Sequence, residues 1–209
     1  MIHLNNVTKV YPNGSKGVEG INLHIKKGEL VGLFGPSGCG KTSLLDSLFN
    51  PNFPGKVSCS EVLLDGKPFP KAGRELYSLV SYCPQFSQAA LNPKLTINDH
   101  IDLLYHGNKM KKDTQRVKEL LDALNLNASM LTRRPGGLSG GQQQRMVLML
   151  CALKNPKLMI LDEPSSAIDL ITLQDIVSFL EHMKGETTML MVAHSRPLLE
   201  RVADRIIDL

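Results

Sequence analysis

Apolar and polar positions alternate at the start of the chain and change their spacing farther on. Ile2 to Tyr11 and Val18 to Ile25 read as strands, and Ile21, Leu23 and Ile25 share one face of the second. Pro12-Asn13-Gly14 between them reads as a turn. Lys27-Gly28 then turns the chain into Leu30-Val31-Gly32-Leu33-Phe34, an apolar run expected to be a buried strand. Leu44, Leu45, Leu48 and Phe49 fall on one helical face. Asn50-Pro51-Asn52-Phe53-Pro54-Gly55 breaks that helix. Val57 to Leu64 reads as a strand ending at Asp65-Gly66, and Leu79 to Cys83 as a short strand stopped by Pro84.

From about Thr96 the spacing becomes helical, over Ile97 to Tyr105 and Asp113 to Leu124, with few β-branched residues. A third helix is expected after the glycines at 136, 137, 140 and 141. We read 86–152 as a largely helical insertion into an α/β core. Strands then alternate with helices: strand Leu158–Leu161, helix about Leu173–Met183, strand Thr188–Ala193, helix about Pro197–Val202, strand Arg205–Asp208. That order predicts an α/β fold with a mostly parallel sheet covered on both faces. No internal repeat and no low-complexity tract interrupts it.

The chain has 209 residues, enough for one large domain or a domain with a subdomain. The net charge of +4 is too small to argue for a nucleic-acid or membrane surface, and no nucleic-acid partner is expected. Cys39, Cys59, Cys83 and Cys151 are far apart and form no C-x-x-C pair. Reduced thiols of a cytosolic protein are expected, not a disulfide frame or zinc site. The first six residues show no basic segment followed by an apolar one, so no signal peptide is expected. The longest apolar run, Met146 to Leu153, is far short of the roughly 20 residues that cross a bilayer. Work at a membrane would need another chain to hold this one there.

Gly35-Pro36-Ser37-Gly38-Cys39-Gly40-Lys41-Thr42 fits the phosphate-binding P-loop pattern G-x-x-x-x-G-K-[ST] at every fixed position. It lies between an expected strand and an expected helix, the setting the pattern requires. Its glycines let backbone N–H groups converge on phosphate oxygens, and the helix directs its positive end at them. Lys41 would reach the β- and γ-phosphates, and the Thr42 hydroxyl would bind Mg²⁺.

Leu158-Met159-Ile160-Leu161-Asp162-Glu163 is a buried strand ending in two carboxylates. An Asp at such a strand end holds Mg²⁺ in P-loop ATPases, here Asp162 through a water. Glu163, expected on the other face, would orient and deprotonate an attacking water. Leu138-Ser139-Gly140-Gly141-Gln142-Gln143-Gln144-Arg145 places a Ser and two glycines before a helix, a second N-terminus suited to an anion.

Leu138–Arg145 resembles the signature motif of ATP-binding cassette (ABC) proteins, and it stands between a P-loop and the acidic strand in that family's order. The resemblance covers essentially the whole chain. It implies a P-loop NTPase core, an N-terminal antiparallel β subdomain and a helical signature subdomain within one ATPase domain over 1–209. Tyr11 resembles the aromatic that stacks on adenine, and the implied ATP contacts run from Gly35 through Thr42 to Ser43. Gln85 resembles the Q-loop glutamine, which contacts Mg²⁺ and the water. His194 resembles the switch histidine at the γ-phosphate. Ser166-Ala167-Ile168-Asp169 resembles the D-loop, with Ser166, Ala167 and Asp169 at a dimer interface. Family cassettes pair head to tail, so Ser139, Gly140, Gly141 and Gln142 are implied to contact a partner's ATP.

Ala89-Ala90-Leu91-Asn92-Pro93-Lys94-Leu95-Thr96-Ile97 is similar to a segment of oligopeptide and nickel importer ATPases. The implied activity is ATP hydrolysis driving uptake of a peptide, nickel or a metal chelate. The cofactors would be ATP and Mg²⁺. The partners would be membrane permease subunits, a second ATPase (paralogue or self) and an extracytoplasmic solute-binding protein, placing the chain peripherally on the cytoplasmic side of the membrane. The alternatives are an exporter or lipoprotein-release ATPase and a non-transport ABC ATPase. Leu91-Asn92-Pro93 argues against the first, and the lack of a second cassette or long insertion against the other. Two departures stand out: Ser165 replaces a commoner Thr, and the chain stops directly after its last strand, where relatives usually continue.

Overall fold

The computed structural model describes residues 2–49, 55–70, 72–165 and 169–209. In chain order its elements are β1 (Ile2–Val10), β2 (Lys16–Ile25), β3 (Leu30–Phe34), α1 (Lys41–Phe49), β4 (Lys56–Ser58), β5 (Glu61–Leu64), β6 (Lys67–Pro68), α2 (Gly73–Leu79) and β7 (Val80–Cys83). There follow α3 (Ile97–Gly107), α4 (Thr114–Ala123), α5 (Gly140–Leu153), β8 (Leu158–Asp162), α6 (Leu170–Met183), β9 (Thr188–Val192), α7 (Arg196–Val202) and β10 (Arg205–Asp208).

Two sheets result. β2-β1-β5-β6, with β4 also on β1, is antiparallel throughout. The other, ordered β10-β3-β9-β8-β7, is parallel throughout. Side chains of the parallel strands alternate between two cores, as a strand's period of two requires. Met159, Leu161, Met189 and Met191 pack towards α5 and α6. Leu158, Ile160, Leu190 and Val192 pack towards α1 and the antiparallel sheet. The parallel sheet is therefore the middle layer, covered on both faces.

The expected strand at 57–64 is two strands, because the ladder breaks at Cys59-Ser60, where the Ser60 N–H donates to the Asn5 carbonyl at 3.0 Å. α2 was not foreseen: it is short, buries only Leu76 and runs into β7. Gly140 and Gly141 lie inside the first turn of α5, not ahead of it, because Ser139 is the cap. Segment 86–152 is largely helical: residues 108–113 join α3 to α4 without a 3₁₀ turn, two short 3₁₀ turns join α4 to α5, and Thr96 closes a capping box on α3 through Asp99. Most of the break expected at 50–55 lies outside the described residues.

Candidate functional site

From β3 outward the neighbouring parallel strands are β3, β9, β8 and β7. The P-loop follows β3, His194 follows β9, Asp162 and Glu163 close β8, and Gln85 follows β7. The topology thus gathers four distant segments at the carboxyl ends of adjacent strands, where α/β sheets bind ligands.

Gly40 has φ +101°, and a Cβ there would lie 2.0 Å from the Gly17 carbonyl oxygen. Only glycine lets β2 press against the P-loop this closely. Ser37, Gly38, Gly40, Lys41, Thr42 and Ser43 line a cleft of about 350 Å³, and Tyr11, Gly17, Glu163 and His194 form its other walls. Gly35, Pro36 and Cys39 of the same loop are not among the residues that line the cleft. Lys41 is 5% exposed, and its ammonium donates to the carbonyl oxygens of Gly35 (2.7 Å) and Pro36 (2.9 Å). The cation is held by its own loop, and phosphate oxygens can replace those two acceptors. Tyr11 lies at the rim with its hydroxyl 2.6 Å from Ser43 Oγ. Lys16, not foreseen, also lines the cleft.

Glu163 adopts φ +49°, and its N–H donates to the Val192 carbonyl at 2.9 Å. The turn sends its carboxylate into the cleft. Gln85 Nε2 donates to Glu163 Oε2 at 2.7 Å, and His194 Nε2 lies 2.6 Å from Glu163 Oε1. The three residues expected to serve hydrolysis thus form one hydrogen-bonded chain.

Asp162 faces the other way. Its Oδ2 accepts from the Tyr82 hydroxyl at 2.9 Å, while its buried Oδ1 has no hydrogen-bond partner. Burial raises its pKa; the Tyr82 hydrogen bond and Lys41 oppose this, and the Glu163 and Asp46 charges add to it. Burial, with the Asp162 charge second, pushes the Tyr82 phenol upward. A buried carboxylate oxygen without a donor, together with the Thr42 hydroxyl on the cleft wall, makes a hard oxygen set that fits Mg²⁺. No cluster of three or more His, Cys, Asp or Glu that could hold a metal ion occurs among the described residues.

Two neighbours were not singled out from the sequence. One is Tyr82, which read as a core residue of a short strand. The other is Lys9, whose side chain has no solvent exposure; it donates to the Ser43 carbonyl oxygen, with its Nζ 5.8 Å from the Tyr11 ring centroid. Burial pushes its pKa down to about 8, against the pull of Asp46.

The signature residues stand apart from this cleft. Ser139 Oγ accepts from the Gln142 N–H (3.2 Å), and Gln142 Oε1 accepts from the Ser139 N–H (3.0 Å), a closed capping box. Gly141 abuts α6: a Cβ there would lie 2.5 Å from Thr172 Oγ1. Asp169 caps α6, accepting from the Thr172 N–H and hydroxyl, both at 2.9 Å, and these bonds hold its carboxyl below the usual range. Ser166 and Ala167 lie outside the described residues. No residue of 139–142 lines the P-loop cleft, so one chain does not bring together the two helix ends expected to receive anions.

A family profile described as ABC transporter matches residues 18–166. The chain is 35% identical over 218 residues to the glycine betaine/carnitine/choline transport ATP-binding protein OpuCA of Bacillus subtilis, covering 100% of this chain and 55% of that one. It is 33% identical over 204 residues to the oligopeptide transport ATP-binding protein AppD of Bacillus subtilis, covering 91% of this chain and 62% of that one. The chain thus spans little more than half the length of these two relatives. Among solved structures, it superposes on the dimeric post-hydrolysis state of the ATP-binding cassette MJ0796 bound to ADP and Pi. There the TM-score is 0.84 and the identity 28%, with 100% of this chain and 94% of that one covered.

Proposed function

The chain belongs to the ABC transporter family and carries its ATPase domain, and from that premise we propose that it binds and hydrolyses Mg-ATP as the ATP-binding subunit of an importer. The observation that carries this is the Gln85–Glu163–His194 chain facing the P-loop across one cleft. On this reading ATP places its phosphates on the loop amides and on Lys41, which exchanges two carbonyl acceptors for the β- and γ-phosphates. Thr42 and Asp162, with Gln85 near them, would hold Mg²⁺, which would supply charge neutralisation during phosphoryl transfer. Glu163 takes a proton from the attacking water as its oxygen bonds to the γ-phosphorus. The bond to the bridging oxygen breaks, and ADP carries the electron pair away. His194 and Gln85 fix the water and the γ-phosphate, and Tyr11 holds the base.

Ser139 to Gln142 are well formed but remote from the cleft, so on this reading they act on ATP bound to a second cassette, and the resemblance assigns Ser166, Ala167 and Asp169 to that interface. A membrane permease is the second partner. Phe86, directly after Gln85, is 73% exposed, and Tyr77 and Leu103 are 46% and 56% exposed. Beside them Tyr77, Leu91, Leu104 and Leu150 line a groove of about 220 Å³ suited to a short apolar helix. No helix among the described residues is long and apolar enough to cross a membrane. This reading therefore puts the chain peripherally at the cytoplasmic face, served by an extracytoplasmic solute-binding protein. For the solute, residues 89–97 support the peptide or nickel class, while the relatives named above carry betaines and oligopeptides in their descriptions.

The test is the solution mass of the Glu163→Gln chain with and without Mg-ATP, alongside co-expression with a neighbouring permease. An ATP-dependent dimer, or co-purification with the permease, is expected. A Glu163→Gln chain that stays monomeric with Mg-ATP bound and does not co-purify with the permease would overturn the transport reading.

A further inference from the structure

His3 of β1 and His24 of β2 are direct register partners across the antiparallel pair. Opposed residues in such a pair point to the same face. Their Nδ1 atoms lie 3.0 Å apart, and the ring centroids 3.9 Å apart at an interplanar angle of 56°. One proton fits between those nitrogens, so one ring donates and the other accepts. Neither Nε2 has a hydrogen-bond partner among the described residues, and both rings are half-buried, open to solvent on one side. The P-loop cleft uses neither residue.

We propose that His3 and His24 form a two-imidazole binding site for a divalent transition metal of the Cu²⁺ or Ni²⁺ type. Imidazole nitrogens suit these ions. Two nitrogens bound at about 2.1 Å and at a right angle stand about 3.0 Å apart, whereas a tetrahedral pair needs about 3.4 Å. The observed 3.0 Å is set by the shared hydrogen bond and is close to the right-angled span, so the pair can take such an ion with little movement. On binding, the shared proton moves from Nδ1 to the Nε2 of the same ring, and the ion sits to one side of the line between the two Nδ1 atoms.

Burial lowers the His24 pKa, with His3, Arg205 and Lys26 adding and Glu29 opposing. The Arg205 guanidinium is spoken for by Glu29 Oε1 at 3.1 Å and by the His24 carbonyl. An open cleft of about 610 Å³ beside His24 leaves room for water ligands. Among the described residues no third His, Cys, Asp or Glu completes the set, so the ion keeps most positions for water or a small chelating ligand. The ion would staple β1 to β2 just ahead of the register shift between Leu4 and Val7.

The test is calorimetric titration of the full chain, free of any affinity tag, with NiCl₂ and with CuCl₂. One ion per chain is expected, bound at least about tenfold more weakly by His3→Ala and by His24→Ala and unchanged by His182→Ala, a surface control on α6. Equal affinity in all four proteins, or no binding by the unsubstituted chain, would overturn the site. The Cu²⁺ paramagnetic resonance of the unsubstituted chain guards against a variant that fails to fold. Coupling to two equivalent imidazole nitrogens supports the proposal, and one or none refutes it.

Discussion

His194 Nε2 lies 2.6 Å from Glu163 Oε1, across the gap between the ends of β9 and β8. The contact depends on backbone as much as on side chains. Glu163 takes a left-handed φ of +49°, and its N–H is fixed on the Val192 carbonyl of the neighbouring strand. With Gln85 on the other oxygen, the carboxylate is oriented before any nucleotide arrives.

Glu163→Gln is expected to keep nucleotide affinity and to lower steady-state ATPase by two to four orders of magnitude, the usual share of a general base. His194→Ala should also lose most turnover. Because the two act as one unit, the double variant should be little slower than Glu163→Gln alone. Multiplicative losses, or near-normal turnover in Glu163→Gln, would remove the base assignment.

Tyr82→Phe tests how Asp162 is held. It strips the donor from Oδ2 of a buried carboxylate, and a hydrogen bond to a charged group contributes about 1.5–3 kcal/mol. Urea denaturation should register a loss of that order. The Mg²⁺ concentration for half-maximal ATPase should rise several-fold, because Oδ1 is no longer aimed by its partner oxygen. A normal Mg²⁺ dependence in a destabilised protein would make Tyr82 a packing residue only.

The P-loop, the acidic end of β8 and the signature octet were legible because their chemistry is written in consecutive residues. The parallel sheet was legible because apolar runs recur between helical ones. Tyr82 and Lys9 were not, since each acts through a contact distant in sequence. Lys9 was further hidden by a bulge. Asn6 takes φ +52°, and the ladder shifts register between Leu4 and Val7. Ile2 and Leu4 face inward before the bulge, and Val7 and Lys9 after it. Unbroken alternation from Ile2 would have put both Val7 and Lys9 outward, so only the observed core position of both reveals the slip. The link from Gly141 to Thr172 was out of reach for another reason: the glycine's value lies in the side chain it makes room for.

Gly141→Ala should set helix propensity against sterics. Alanine gains about 1 kcal/mol over glycine in a helix interior. Here its Cβ would meet Thr172 Oγ1 at 2.5 Å, and such overpacking costs about 1–3 kcal/mol. A net loss of stability is expected, with reduced ATPase at unchanged nucleotide affinity. In a Thr172→Ala background the same substitution should cost less than about 1 kcal/mol, a coupling that a double-mutant cycle reads directly. Equal costs in both backgrounds would dismiss the contact.

Lys9 gives stability a pH dependence whose sign is fixed. Its pKa is about 8 in the folded chain against an ordinary 10.5. Between those values the unfolded chain binds the extra proton, so this group makes stability rise with pH. Below about pH 8 the ammonium is charged in both states and the burial cost is fully present. Above 10.5 it is neutral in both and the cost is gone. Other groups titrate in the same range, so the informative quantity is the difference from Lys9→Met, which removes the charge and keeps much of the volume. The stability of the parent chain relative to Lys9→Met should climb from pH 8 to 10.5 and be flat below pH 7. Parallel curves in urea denaturation across that range would mean that the ammonium reaches water through the cleft, and that its hold on the Ser43 carbonyl contributes little to the seating of α1.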